Sequence, residues 1–169
     1  MIRLPFLADK TVAVMGLGKS GTATARALAA SGARVLAWDD NAAARAAAAA
    51  EGVTIAELSD MASIDLVLWS PGIAHTYPSS HPVADKARAA GHRLICDIEL
   101  LGRACPSARY LAISGTNGKS TTTSLLGHIL QKNRVPTGIG GNLGIPALDL
   151  TPLGAEGTYV LELSSYQLE

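Results

Sequence analysis

Twice in this chain a short apolar run breaks into glycine and then into a helical pattern. "TVAVM" (Thr11–Met15) runs into "GLGKSG", and "YLAIS" (Tyr110–Ser114) runs into "GTNGKS". A strand that hands straight to a helix cannot return by a hairpin. The next strand must come back parallel, through the helix as a crossover. The rest of the chain keeps that alternation. "ARVLAWDD" reads as a second strand. "NAAARAAAAAEG" reads as a helix capped by Asn41 and stopped at Gly52, nearly pure alanine and without functional content. "IDLVLWSPG" is a third strand, followed by a helix over about 82–90, a short strand "HRLI" and a helix "DIELLGRA". "CPSAR" reads as a junction, and "TYVLELS" (Thr158–Ser164) as a last strand. The expected fold class is α/β: a Rossmann-like, mostly parallel sheet domain over 1–97, then the start of a second, phosphate-loop domain over 98–169. The chain stops just after a strand, so it reads as the front part of something longer.

Composition narrows the function by exclusion. Apolar residues make up 48% and charged residues 17%, which suits a packed core rather than disorder. Fourteen basic and fourteen acidic residues cancel, so no global field draws nucleic acid or an anionic membrane. Any anion site must be local. Cys96 and Cys105 lack metal-type spacing, and His75, His81, His92 and His128 are scattered. The start, "MIRLPFLADK", is too short and too broken for a signal peptide, and no apolar run is long enough to span a bilayer. The expectation is a soluble, cytoplasmic monomer.

The first glycine stretch is Gly16-x-Gly18-x-x-Gly21, with Asp39 18 residues beyond Gly21 at the end of the second strand. A tight turn, a helix N-terminus and a carboxylate suit a pyrophosphate and a ribose hydroxyl. The geometry does not choose between a dinucleotide and a UDP-sugar. In the second stretch, Gly115-Thr116-Asn117-Gly118-Lys119-Ser120-Thr121, backbone amides can wrap phosphate oxygens. Lys119 adds a full charge at the β/γ-phosphates, and the Ser120 hydroxyl can hold Mg²⁺. The usual loop reads G-x-x-x-x-G-K-[ST], whereas the position five before Gly118 is Ile113. A hydride-transferring enzyme needs no triphosphate loop. An enzyme that spends ATP on a substrate with its own nucleotide handle needs both cradles.

With "SGTNGKSTTT" the chain resembles the ATP-dependent Mur ligase superfamily, whose phosphate loop has this shorter form. "GLGKSG", "SPGI" (Ser70–Ile73), "GGNLGIPAL" (Gly140–Leu148) and "LELSSYQLE" (Leu161–Glu169) extend the resemblance over nearly the whole chain. It implies a ligase of peptidoglycan synthesis that adds D-glutamate to UDP-N-acetylmuramoyl-L-alanine through an acyl phosphate, with ATP and Mg²⁺. Three domains are implied: a uridine-nucleotide domain, a central ATPase and a third domain. Only the first and part of the second are here, so the chain alone is expected to be inactive. The family's metal-binding histidine and carbamylated lysine are not in it.

By the same resemblance Lys119 is catalytic, and Ser120 and Glu162 hold magnesium. Gly18, Lys19, Ser20, Asp39, Ser70, Pro71, Gly72 and Ile73 serve the uridine nucleotide. Asn142, Ser164 and Gln167 match positions that contact or approach the muramoyl-alanine part. Strand-end hydrogen bonding is the competing reading for these three, and a solvated carboxylate on an edge strand is the competing reading for Glu162. The family often carries threonine and arginine after the aspartate, where this chain has Asp40 and Asn41. Lys19 is the candidate to supply the missing positive charge. Two other functions compete with the ligase: an NAD(P)-dependent oxidoreductase, and a non-catalytic nucleotide-binding module.

Overall fold

The structure, a computed structural model, describes residues 1–142 and 144–168. Leu143 and Glu169, each inside a stretch quoted above, lie outside the described residues. The chain divides into two compact units. Arg3–Asp97 forms one, and Met1–Ile2 joins the chain from Ile98 onward in the other. The Ile2 amide donates to the Leu148 carbonyl at 2.7 Å, which ties the first residues to that second unit.

The Arg3–Asp97 unit is built on β1 (Thr11–Met15), β2 (Arg34–Trp38), β3 (Leu66–Trp69) and β4 (Leu94–Ile95). The order is β2-β1-β3-β4 and every pairing is parallel. The crossovers carry α1 (Lys19–Ala29), α2 (Ala42–Ala50) and α3 (Pro82–Ala89), and α4 (Asp97–Ala104) begins at the boundary. Ala13, Met15, Val67 and Trp69 pack with Leu58, Met61, Ile64, Ala84 and Ala87 in one buried cluster. Val12 and Val14 alternate to the opposite face, where α1 lies against β1 and β2. Both faces are covered, which is why these strands read as apolar runs rather than alternating ones. Helix α1 starts at Lys19, three residues before the "TATARALAASG" pattern begins. The glycine turn therefore hands over directly, and Lys19 and Ser20 occupy the helix's first turn.

The second unit holds β5 (Arg109–Ile113), α5 (Lys119–Lys132), β6 (Thr137–Gly141) and β7 (Thr158–Glu162). Its sheet is parallel in the order β5-β7-β6. β7 is the central strand and all five of its residues are buried. The edge-strand reading of Glu162 is thereby corrected. β6 contains three glycines, a composition that reads as loop. The small residues are there for packing: a Cβ on Gly138 would stand 2.8 Å from the Tyr159 ring. Tyr159 is fully buried, stacks on Tyr110 at 5.4 Å and donates to the Thr151 carbonyl.

Candidate functional site

The carboxyl ends of three strands are level in the first unit. Met15 lies opposite both Trp38 and Trp69 in register. The Gly16 amide donates to the Trp38 carbonyl (2.7 Å), and the Ser70 amide to the Met15 carbonyl (2.8 Å). The glycine turn, Asp39 and the Ser70–Ile73 loop therefore emerge side by side. The order β2-β1-β3-β4 makes the β1/β3 boundary the point where the winding reverses, the usual place for a ligand crevice. A small crevice opens there, lined by Val14, Ser20, Thr24, Trp69, Ser70 and Pro71. The third glycine of the turn is sterically required: a Cβ on Gly21 would lie 1.8 Å from the Gly16 carbonyl oxygen. Gly18 caps α1, and Lys19 is exposed in the first turn.

Asp39 is half-buried and accepts one backbone hydrogen bond at each oxygen, which leaves lone pairs for a ligand. Its Oδ2 accepts from the Leu17 amide (2.7 Å) and its Oδ1 from the Asn41 amide (2.8 Å). It staples the glycine turn to the end of β2. Asn41 is spent as the α2 cap, its Oδ1 accepting from the Ala43 and Ala44 amides. Arg45, in the alanine helix that looked devoid of function, stacks over the Trp38 ring at 4.3 Å. It also donates to the Asp39 and Asp40 carbonyls at 2.6 and 3.1 Å. Asp40 meets His81 (2.9 Å) and accepts from the Trp38 indole (3.2 Å). The hydrogen bond from His81, first, holds its carboxyl below the ordinary value. Neither Arg45 nor His81 stood out in the sequence, because their partners lie at positions that no local spacing marks.

In the second unit, Ile113 ends β5 directly opposite Glu162 of β7. The Leu163 amide donates to the Ile113 carbonyl (2.9 Å), and the Ser114 hydroxyl to the Leu163 carbonyl (3.2 Å). The loop then reaches Gly118, which caps α5 at φ +78°, a left-handed conformation that side chains resist. Thr116, Asn117, Ser120 and Thr121 are exposed along it. Lys119 folds back over its own loop, with Nζ donating to the Gly115 carbonyl at 2.7 Å and the Thr116 carbonyl at 3.3 Å. An incoming phosphate would offer this ammonium a charged acceptor in place of two neutral ones.

Glu162 is 4% exposed, and its Oε2 has no hydrogen-bond partner. A buried, unpaired carboxylate costs several kcal/mol, roughly, unless a cation compensates it. No cluster of three or more His, Cys, Asp or Glu side chains able to hold a metal occurs among the described residues. A carboxylate and a hydroxyl are nonetheless oxygen donors of the kind Mg²⁺ accepts, because this ion keeps several waters and takes phosphate oxygens as its remaining ligands. The Asn142 amide donates to the Glu162 carbonyl (2.8 Å). Ser164 and Gln167 form a reciprocal capping pair, with Gln167 Oε1 2.9 Å from the Ser164 amide and 3.2 Å from its hydroxyl.

Two glycine loops, each joining a parallel strand to a helix, are the frame in which the comparison with known proteins is made. Over its full length the chain resembles Mur ligases. Over its full length it is 59% identical to the UDP-N-acetylmuramoylalanine–D-glutamate ligase of Paramagnetospirillum magneticum. It is 55% identical to the enzyme of that name from Rhodospirillum rubrum and 45% to that of Caulobacter vibrioides. The chain spans 37% of the length of the first two and 38% of the third. Two solved structures share the fold. A murein peptide ligase from Psychrobacter arcticus matches with TM-score 0.54 and 24% identity, over 90% of this chain and 37% of that one. The UDP-N-acetylmuramate:L-alanyl-γ-D-glutamyl-meso-diaminopimelate ligase of Neisseria meningitides matches with TM-score 0.51 and 18% identity, over 93% of this chain and 52% of that one. A family model described as the NAD binding domain of D-isomer specific 2-hydroxyacid dehydrogenase matches residues 2–71. That span ends with the strands and turns around the first cradle and stops well before the second. No helix among the described residues is long and apolar enough to cross a membrane.

Proposed function

We propose that this chain supplies the sugar-nucleotide domain and the front of the ATPase domain of a peptidoglycan ligase. The reaction joins D-glutamate to UDP-N-acetylmuramoyl-L-alanine at the cost of ATP. The observation that carries the reading is Glu162: buried, with an oxygen lacking a partner, and level with the strand end from which the phosphate loop departs. A hydride-transferring enzyme has no use for that arrangement.

In this mechanism the alanine carboxylate forms a bond to the γ-phosphorus as the bond to the β-phosphate oxygen breaks, giving an acyl phosphate and ADP. The D-glutamate amine then attacks the acyl carbon, loses a proton and expels inorganic phosphate. Lys119 would leave its loop carbonyls for the β/γ-phosphates and hold the charge that develops there. The amides at Gly115–Thr121 would wrap the phosphates, and Ser120 and Glu162 would hold Mg²⁺, which supplies charge neutralisation when bound. In the first unit Gly18, Lys19 and Ser20 would receive the pyrophosphate. Asp39 and the Ser70–Ile73 loop would form the uridine pocket. Asn142, Ser164 and Gln167 would line the approach of the muramoyl-alanine end. The site is proposed to work in the cytoplasm, in a monomer, with no role for nucleic acid or membrane.

The 169-residue chain is expected to bind its sugar nucleotide but to form no amide bond, since catalysis of this kind depends on holding three reactants in one geometry. Calorimetric titration of the chain with UDP-N-acetylmuramoyl-L-alanine should saturate, and titration with NADH should not. Saturable NADH binding without sugar-nucleotide binding would overturn the reading in favour of an oxidoreductase.

A further inference from the structure

The loop from Ser70 to His81 joins β3 to α3, and its α3 end is fastened by side chains that the proposed chemistry does not use. His81 caps α3 through Nδ1, which accepts from the Val83 amide at 3.2 Å. That bond places the imidazole proton on Nε2, which points at the Asp40 carboxylate 2.9 Å away. The ring also meets the Trp69 indole edge-on at 5.5 Å. A second tie holds the middle of the loop: the Arg88 guanidinium donates to the His75 carbonyl (2.8 Å) and to the Ser80 hydroxyl (3.2 Å). At the near end, Trp69 Nε1 donates to the Ile73 carbonyl at 2.8 Å. The loop is thus a strap tied at three points, and one of those ties crosses to β2.

The cross-tie bears on the crevice because Asp40 is the residue after Asp39. Asp39 already staples the glycine turn, and Ser70 bonds to the end of β1. With His81 fixed to Asp40, both lips that flank the glycine turn belong to one closed circuit of hydrogen bonds. The indole of Trp38 and the guanidinium of Arg45 brace Asp40 from the β2 side. We propose that Asp40 and His81 are a positioning pair that fixes the strap so that Asp39 and Ser70–Ile73 stand ready for a nucleoside diphosphate. This rests on the sugar-nucleotide reading of the first unit. It also accounts for Asp40 at a position where the resemblance leads one to expect a ligand-facing polar residue: here the side chain is committed to the strap.

The test uses His81→Asp, Asp40→His and the double exchange. His81→Asp keeps an excellent helix cap at α3 but sets two carboxylates face to face, so the cap and the clasp are separated. Each single variant should weaken UDP-N-acetylmuramoyl-L-alanine binding to the chain by roughly tenfold, the scale of one charge-assisted hydrogen bond. The exchanged pair should recover most of it. Amide hydrogen exchange in the strap, measured without ligand, should rise in each single variant and fall back in the double. Single variants that bind like wild type, or a double no better than the worse single, would overturn the proposal. So would unchanged exchange. If wild type itself fails to bind the sugar nucleotide, the reading of the site falls and the ligand-side half of the proposal with it. The exchange arm still decides whether the clasp exists.

Discussion

The two units build the same device, a parallel strand opening into a glycine loop and a helix, on different foundations. In the Arg3–Asp97 unit no apolar strand residue is exposed, and β1 has a hydrogen-bonded neighbour on each side. In the second unit β5 has one neighbour, and four of its five residues are exposed. Leu111 is 39% exposed, and Leu125 and Ile129 of α5 are 57% and 46% exposed. The first glycine loop therefore stands on a strand fixed from both sides, while the second stands on an edge strand. What holds the second cradle is its central strand: β7 is wholly buried and contributes Glu162 at the loop's base. If the two cradles serve two ligands, damage to one should leave the other intact.

The sharpest way to break that separation is Lys119→Ala. Tested in an enzyme of the relatives' length, it should lower D-glutamate-dependent turnover by about 10² to 10³, the usual loss when one donor to a developing transition-state charge is removed. Sugar-nucleotide affinity, proposed to belong to the other unit, should not change. A near-normal rate, or an equal loss of sugar-nucleotide binding, would end the two-cradle picture.

Glu162→Gln probes the second foundation with a smaller effect and an unusual sign. Replacing a buried carboxylate whose Oε2 lacks a partner by a neutral amide should relieve part of a desolvation cost of about 1–3 kcal/mol and raise the melting temperature of the free chain. The same change should abolish any Mg²⁺-induced stabilisation of the ATP complex. A variant that melts lower and still responds to Mg²⁺ would show that Glu162 is structural.

How much of this could be read from sequence depended on whether the information was local. "TVAVM" gave β1 to the residue, because a run of β-branched and apolar residues ending in glycine has few alternatives. "DIELLGRA" gave α4 in the same way. "VLEL" marked Glu162 as a carboxylate in apolar surroundings. β6 hid behind its glycines, which are explained by Tyr159 some twenty residues away and not by their neighbours. The Asp40–His81 contact spans 41 positions, and Arg45 sits in a helix that is otherwise all alanine. Side chains that join elements through tertiary contact leave no periodic trace.

Lys19→Ala sharpens the first cradle at modest cost. A cation in the first turn of a helix faces the positive end of the dipole, so its presence there is unfavourable by roughly 0.3–1 kcal/mol unless an anion binds. Removing it should leave the free chain as stable or slightly more so, and weaken sugar-nucleotide binding by about two- to fivefold, the same free energy read as affinity. Unchanged affinity would remove Lys19 from the site and leave the pyrophosphate to backbone amides.

The smallest effect is also the most direct comparison, because the two units should fail at opposite ends of the pH scale. Two carboxyls of the first unit have lowered values. Asp40 is held down mainly by the bond from His81, and Asp65 by the Thr11 amide and then by Lys10. Their contributions are complete above the ordinary value of 3.8 and fade as pH falls through the lowered ones. The second unit holds two tyrosines pushed the other way by burial: Tyr110 rises to about 12, and its stacked neighbour Tyr159 rises further. A phenol with a raised value stabilises fully below the ordinary value of 10.0 and loses that contribution as pH climbs through the raised one. In a chain carrying Tyr77→Phe and Tyr166→Phe the probes are separated, since both tryptophans, Trp38 and Trp69, lie in the first unit and the two remaining tyrosines, Tyr110 and Tyr159, lie in the second. On acidification, tryptophan emission should shift while the tyrosine environment stays native. On alkalinisation, tyrosinate absorbance should appear late, between pH 10 and about 12, with the tryptophan signal still native. Loss of both signals together at either extreme would mean that the units unfold as one, and that the contrast between their foundations has no energetic consequence.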